Sequence, residues 1–221
     1  MRFKGIIFDF DGVIADSEML LNQTLADGLT AIGLPTSLND SLRDYSGKRW
    51  ADILGMIEER LGRELPSSFI GQKIEWLGQK VMRESKPVPG IEAFLAISRK
   101  LPRAIASSGD QLWIKPTLAR FGFTDHFGEH VYSTTSLKHG KPHPEVYLLA
   151  AQKLGIAPED IVAIEDSVSG VAAAIAAGMS AVGLTAASHM GTCDIERLRV
   201  AGAHHIARDY ESVAEWIELS I

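Results

Sequence analysis

Asp9 and Asp11 close the apolar run Ile6-Ile7-Phe8, and Gly12 follows them. Strand side chains alternate, so the two acids would share a face only if the strand ran on; a glycine at that point ends it. Three other strand-like runs stop on groups of the same kind: Ser107-Ser108-Gly109, a loop bearing Lys141-Pro142-His143-Pro144, and Glu165-Asp166-Ser167. In an open parallel sheet, ligands lie beyond the carboxyl ends of the strands, which would bring these groups to one edge. Asp9, Asp11, Glu165 and Asp166 would repel one another there without a positive charge, and oxygen donors alone select a hard ion such as Mg²⁺. Magnesium favours few carboxylates with water and phosphate oxygens, so the chemistry indicated is phosphoryl transfer. One carboxylate can attack phosphorus and form an aspartyl-phosphate while the cation screens its charge. Asp11 can give a proton to the departing alkoxide, then take one from the water that attacks the intermediate. Lys141, Ser107 and backbone N–H groups near Gly12, Ser108 and Gly109 can hold the phosphate oxygens.

The elements that must position these residues are legible as short apolar runs separated by helical stretches: "KGIIFDF", "RAIASS", "HVYST", "IVAIED", "SAVGLT" and "HHIA". Such alternation predicts an α/β fold, a doubly wound parallel sheet covered on both faces. The interval between the first two runs is far longer than one crossover helix requires. Asp16 or Ser17 can cap a helix from about residue 18 to Gly33, and further helices are expected at 49–62 and 67–84. "SKPVPG", 85–90, reads as a return linker, and a helix at 91–101 resumes the core. The chain therefore divides into a core of residues 1–16 and 86–221 and an inserted helical cap of 17–85, hinged near 12–16 and 85–90.

The composition sets outer limits. The chain has 221 residues and a formal net charge of −6, with the two signs interspersed. That pattern argues against a nucleic-acid surface. No apolar run is long enough to span a membrane, and the residue order of a secretion signal is missing, so a cytoplasmic protein is expected. The single cysteine, Cys193, excludes an internal disulfide framework; with only His189 and Asp194 nearby it reads as a bystander thiol.

Four segments, in order, resemble the haloacid dehalogenase superfamily. "DFDGVIADS" is similar to its opening motif, "IASSG" to its hydroxyl motif, "GKPHPEVY" to its lysine motif and "VAIEDSVSG" to its acidic motif, with matching spacing from about residue 5 to 185. The likeness is strongest to the β-phosphoglucomutase-like and sugar phosphatase branch, whose members have a helical cap in this position. The resemblance implies Asp9 as nucleophile and Asp11 as general acid/base. It also implies Mg²⁺ held by the Asp9 carboxylate, the Asp11 carbonyl and Asp166, with Glu165 as ligand or close support. Members that cleave carbon–halogen bonds lack the second acid, so Asp11 favours phosphate esters.

Phosphatase and mutase share this core, and the cap decides between them. In the mutases, a cap glycine is followed three residues later by an arginine that grips the phosphate not being transferred. Here Gly47 is followed by Lys48, Arg49 and Trp50, placing tryptophan there. "SGKRW" still reads as a substrate-facing loop, with two cations for an anion or hydroxyls and an aromatic face for a carbon skeleton. The expectation is a phosphatase of a small phosphorylated metabolite, acting as a monomer. The alternatives are a phosphomutase and, ranked last because Asp9 and Asp11 are both present, a non-catalytic sensor. Trp76 and Lys80 read as structural, and His139, His143, His204 and His205 as loop or surface histidines without metal-spaced partners. Gly170 is expected to let its helix approach the first loop.

Overall fold

The computed structural model describes residues 3–65 and 67–218, apart from the side chains of 67–74 and of Cys193, so the reading of Cys193 lies outside the described residues. The chain begins with strand β1 (Gly5–Phe8) and a two-residue strand β2 (Ala15–Asp16). Helices α1 (Glu18–Ala31), α2 (Leu38–Tyr45), α3 (Trp50–Leu61) and α4 (Ser67–Glu84) follow before strand β3 (Lys86–Pro87). Then come α5 (Ile91–Ile97), β4 (Arg103–Ser107), α6 (Gln111–Phe121), α7 (Thr124–Phe127), β5 (Val131–Ser133), α8 (Glu145–Leu154) and β6 (Ile161–Glu165). The chain continues through α9 (Val168–Ala176), β7 (Ser180–Leu184), α10 (Thr192–Val200), β8 (His205–Ala207) and α11 (Tyr210–Trp216).

The main sheet has six parallel strands in the order β5-β4-β1-β6-β7-β8, each at one of the apolar runs. Its short strands are mostly apolar because both faces are covered. Ile6 and Phe8 of β1 enter a cluster with Phe94 and Leu118, whereas Ile7 between them enters one with Tyr147 and Ala174. Phe8 pairs with Ile105 of β4 on one side and with Ile164 of β6 on the other. That register sets Asp9 level with Glu165 and one step short of Ser107. The switch in strand order beside β1 opens the crevice where those ends meet.

Helices α1 to α4 leave and re-enter the core at one place, because β2 and β3 pair antiparallel and Val88 N–H donates to the Ile14 carbonyl at 2.9 Å. A pair two residues long leaves no sequence period to detect. The helices have an apolar cluster of their own, including Leu29, Tyr45 and Ile57. Among the described residues, no helix is long and apolar enough to cross a membrane.

Three local expectations need correction. Helix α2 has no counterpart among the helices expected from the sequence, although Ser37 and Asp40 form a reciprocal capping box at its start. Ser17 stands at the N-cap of α1 but makes no capping bond; its hydroxyl donates to Asp11 Oδ1 instead. The helix expected at 91–101 stops at Ile97, where Ser98 Oγ donates to the Phe94 carbonyl. The Arg103 guanidinium also donates to the carbonyls of Leu95, Ser98 and Leu101, capping the free end from the next strand.

Candidate active site

After Phe8 the backbone makes a tight turn. Asp9 N–H still donates to the Ile164 carbonyl at 3.0 Å, while Ile14 and Ala15 N–H both donate to the Phe10 carbonyl. Gly12 has a φ of +72°, and an added Cβ would lie 1.7 Å from Asp166 Oδ2. Only glycine meets both demands, so this residue lets the first and fourth strand ends touch.

Lys141 is the buried cation of the site. Its Nζ lies 2.9 Å from Asp9 Oδ1 and 2.6 Å from Glu165 Oε1, with all three side chains almost fully buried. Burial pulls the lysine pKa down, but Asp9 and Glu165 outweigh it and hold it above its ordinary value. Glu165 is committed to protein partners: Oε1 also accepts from the Tyr147 hydroxyl at 2.7 Å, and Oε2 from Asp166 N–H, Ser167 N–H and Ser167 Oγ. Gly170 leaves room for this residue, since an added Cβ would meet the Glu165 carboxylate at 1.7 Å. Removing one partner of a buried ion network strands the other charges, at about 3–5 kcal/mol. Lys141→Met should therefore lower the melting temperature sharply, and adding Glu165→Gln should recover part of the loss. An unchanged melt for the single variant would contradict this role.

The remaining acids crowd together. Asp9, Glu165 and Asp166 each offer an oxygen, all within 4.8 Å of one another. Burial raises Asp9 well above the usual carboxylate range against the pull of Lys141. Asp166 is pushed up to about 6, first by burial, with His189 opposing. Asp11 is pushed up to about 7 by burial and then by Glu18, with the Ser17 hydroxyl opposing. A hard cation relieves such a set, and with Glu165 engaged elsewhere, Asp9 and Asp166 are the carboxylates suited to hold it. An acid with a pKa near 7 can both give and take a proton in neutral solution.

Ser107 and Asp11 face one recess, since a Cβ on Gly109 would sit 3.4 Å from Ser107 Oγ and 3.2 Å from Asp11 Oδ2. Asp110 caps α6 by accepting from Leu112 N–H, which releases both serines from that task. Ser108 lines the same cavity as Asp9, and its hydroxyl donates to the Gly47 carbonyl at 3.2 Å, beside Ser169 Oγ at 3.1 Å. Gly47, at φ +71°, lies so close to Ser167 that an added Cβ would approach its Cβ to 2.6 Å. The "SGKRW" loop thus rests on the strand ends. Its cations are engaged: Lys48 Nζ donates to the Asp44 carbonyl at 2.6 Å, and Arg49 pairs with Asp52 at 2.9 Å and donates to the Lys138 carbonyl at 3.3 Å.

A cavity of about 440 Å³ lies between this loop and the sheet edge. Asp9, Asp11 and Ser107 line it from the core, and Glu18, Asn22 and Trp50 from the helices. Asn22 Nδ2 donates to Glu18 Oε2 at 2.6 Å and to Ser46 Oγ at 3.1 Å, a buried polar cluster that the sequence reading passed over. Its only signal there is the i,i+4 spacing of two polar residues on a helix starting beside Asp11. Trp113 also lines the cavity and packs against Gly78 of α4, where an added Cβ would lie 2.2 Å from its ring. Lys80 sits 5.1 Å from the Trp76 ring and donates to Thr24 Oγ1, in keeping with a structural pair.

Two readings of histidines change. His139 and His143 do have a carboxylate partner: Glu145 Oε2 lies 3.1 Å and 3.9 Å from their Nδ1 atoms. His189, set aside with Cys193, lies at the site, its Nε2 3.2 Å from Asp166 Oδ2. Nothing local in the sequence marks it, because the loop after β7 meets the acidic strand end only in the folded sheet.

A family model described as haloacid dehalogenase-like hydrolase matches residues 3–178. Hexitol phosphatase B of Escherichia coli (strain K12) is 31% identical over 185 residues, covering 82% of this chain and 83% of that one. The phosphorylated carbohydrates phosphatase of Thermotoga maritima is 30% identical over 190 residues, covering 81% and 83%. The crystal structure of a HAD family hydrolase from Deinococcus radiodurans R1, with bound phosphate and sodium, superposes with a TM-score of 0.76 at 30% identity, covering 99% of this chain and 98% of that one. Sequence and fold therefore agree: the chain belongs to the haloacid dehalogenase-like hydrolases.

Proposed function

We propose that this protein is a Mg²⁺-dependent phosphatase of a small phosphorylated carbohydrate, such as a sugar, sugar-acid or polyol phosphate. The observation behind this reading is that Asp9, fixed by Lys141, and Asp11 open into one cavity that also presents Glu18, Asn22 and Trp50. Substrates named for the relatives in Escherichia coli and Thermotoga maritima support the carbohydrate class. Residues 17–85 act as a cap whose closure excludes bulk water and whose opening releases product.

The Asp9 and Asp166 carboxylates and the Asp11 carbonyl would hold Mg²⁺, which when bound would neutralise the charge of nucleophile and phosphate. Lys141 keeps Asp9 oriented, opposes the effect of burial on its carboxyl and meets a phosphate oxygen, while Ser107 and the N–H groups near Gly12 and Gly109 hold the others. Asp9 attacks phosphorus and the ester oxygen leaves with the proton of Asp11. Asp11 then takes a proton from water as that water attacks the aspartyl-phosphate, releasing inorganic phosphate and restoring Asp9. Glu18, oriented by Asn22, can accept from a hydroxyl, and Trp50 offers a face to the carbon skeleton. Engagement of Lys48 with Asp44 and of Arg49 with Asp52 favours a phosphatase over a mutase, which needs a free cation for a second phosphate. The cap and site belong to one chain, so a cytoplasmic monomer can work alone.

The test is phosphate release from a panel of sugar, sugar-acid and polyol phosphates and phosphoglycolate, with Mg²⁺ and with chelator. Metal-dependent release favouring one carbohydrate ester is expected. Conversion of hexose 1-phosphate to 6-phosphate after priming with a bisphosphate, without net hydrolysis, would establish the mutase instead.

A further inference from the structure

The loop between β7 and α10 makes two contacts that the proposed chemistry does not use. His189 Nε2 lies 3.2 Å from Asp166 Oδ2, and the two side chains are 8% and 4% exposed. The other ring nitrogen, Nδ1, is buried and has no hydrogen-bond partner. An imidazole kept only to fill space would leave a polar atom stranded where an apolar side chain would serve better. One residue earlier, Ser188 N–H and Oγ donate to Asp16 Oδ1 at 3.1 Å and 2.8 Å. Asp16 belongs to β2, where the chain leaves the core for the helical insertion. Gly12 completes the arrangement, because a Cβ there would lie 1.7 Å from Asp166 Oδ2 and 3.0 Å from His189 Cε1.

We propose that His189 is a positioning residue for the metal-binding carboxylate of Asp166, and that Ser188 anchors it on Asp16 at the hinge. A bond to Oδ2 fixes the carboxylate plane and leaves the other oxygen to face the ion, as partners beyond a metal's direct ligands generally do. The Asp16 anchor places the imidazole by the same backbone that sets the hinge, so metal affinity and hinge geometry share one loop. This rests on the reading of Asp166 as a metal ligand.

The test is Mg²⁺ affinity by calorimetry without substrate, for wild type, Asp166→Asn, His189→Ala, His189→Gln and Ser188→Ala. Loss of binding in Asp166→Asn, with about 10- to 100-fold weaker binding in His189→Ala, is expected. His189→Gln, which can still donate, should recover part of it, and Ser188→Ala should show a smaller loss. Wild-type or tighter binding in His189→Ala, with binding lost in Asp166→Asn, would overturn the positioning role and leave the metal site standing. Wild-type binding in Ser188→Ala would remove the anchor. Wild-type binding in Asp166→Asn would overturn the metal assignment itself.

A second inference stands on different residues. His139, His143 and Glu145 each offer a ligand atom, all within 4.8 Å of one another. The imidazole centroids are 4.2 Å apart, and Glu145 Oε2 also accepts from His139 N–H at 3.0 Å, so the carboxylate is held in place. Pro142 and Pro144 flank His143 and restrict its backbone. Two imidazoles and a carboxylate suit Zn²⁺ with an open fourth position, whereas Mg²⁺ prefers oxygen alone. The geometry points to a Zn²⁺ site on the loop that carries Lys141, separate from the Asp9 cluster. Zinc titration of Asp166→Asn protein in excess Mg²⁺ should show binding and a raised melting temperature, both lost on adding His143→Ala. Absence of binding, or binding indifferent to His143→Ala, would overturn the site.

Discussion

Asp9→Asn should lose turnover by about 10⁵-fold or more, the scale seen when an enzyme's nucleophile is removed. The amide has nearly the same shape, so the loss would reflect chemistry and not packing. The buried network argues for a folded variant. Lys141 keeps its 2.6 Å partner Glu165, and the substituted amide can accept from Nζ through its carbonyl oxygen. Circular dichroism and the melting curve should therefore stay near wild type while phosphate release vanishes. Substantial residual turnover on any ester in the panel would remove Asp9 from the nucleophile's place.

Asp11→Asn should slow turnover by about 100- to 10,000-fold, the usual contribution of a general acid/base. The loss should depend on the leaving group. A poorly basic alcohol departs without help, so aryl phosphates should lose less in the first step than alkyl phosphates. The backbone carbonyl of residue 11 is unchanged, so the variant should still gain thermal stability from Mg²⁺. Equal losses for aryl and alkyl esters in single-turnover measurements would contradict the acid role. A matching loss of the Mg²⁺ effect would mean that the side chain itself holds the ion.

Strand positions and strand-end residues were legible because the chemistry is local to each run: an apolar stretch, then acid, hydroxyl or lysine. The rule that ligands lie beyond the carboxyl ends pointed to one edge, and the register Phe8–Ile105 and Phe8–Ile164 brings those strand ends together there. What remained hidden depends on distance along the chain. Tyr147 and Glu165 meet across two elements, His189 reaches Asp166 from the next loop, and β2 pairs with β3 over the whole insertion. Gly170 shows the same limit, since a close approach was readable but its partner, the Glu165 carboxylate, was not. The cap loop was legible, but the engagement of its cations was not. Arg49 read as free because Asp52 lies at a spacing where a solvated face and an engaged pair look alike, and Lys48 because the backbone carbonyl of Asp44 that accepts its hydrogen bond carries no signal in the sequence.

The most direct measurement is acid quench of wild-type protein during turnover of its best carbohydrate phosphate with Mg²⁺, followed by peptide mass analysis. A single phosphoryl group on the peptide containing Asp9, absent from Asp9→Asn and cleared once substrate is exhausted, is the predicted result. Steady phosphate release with no phosphorylated peptide, or with the label on another residue, would contradict the account.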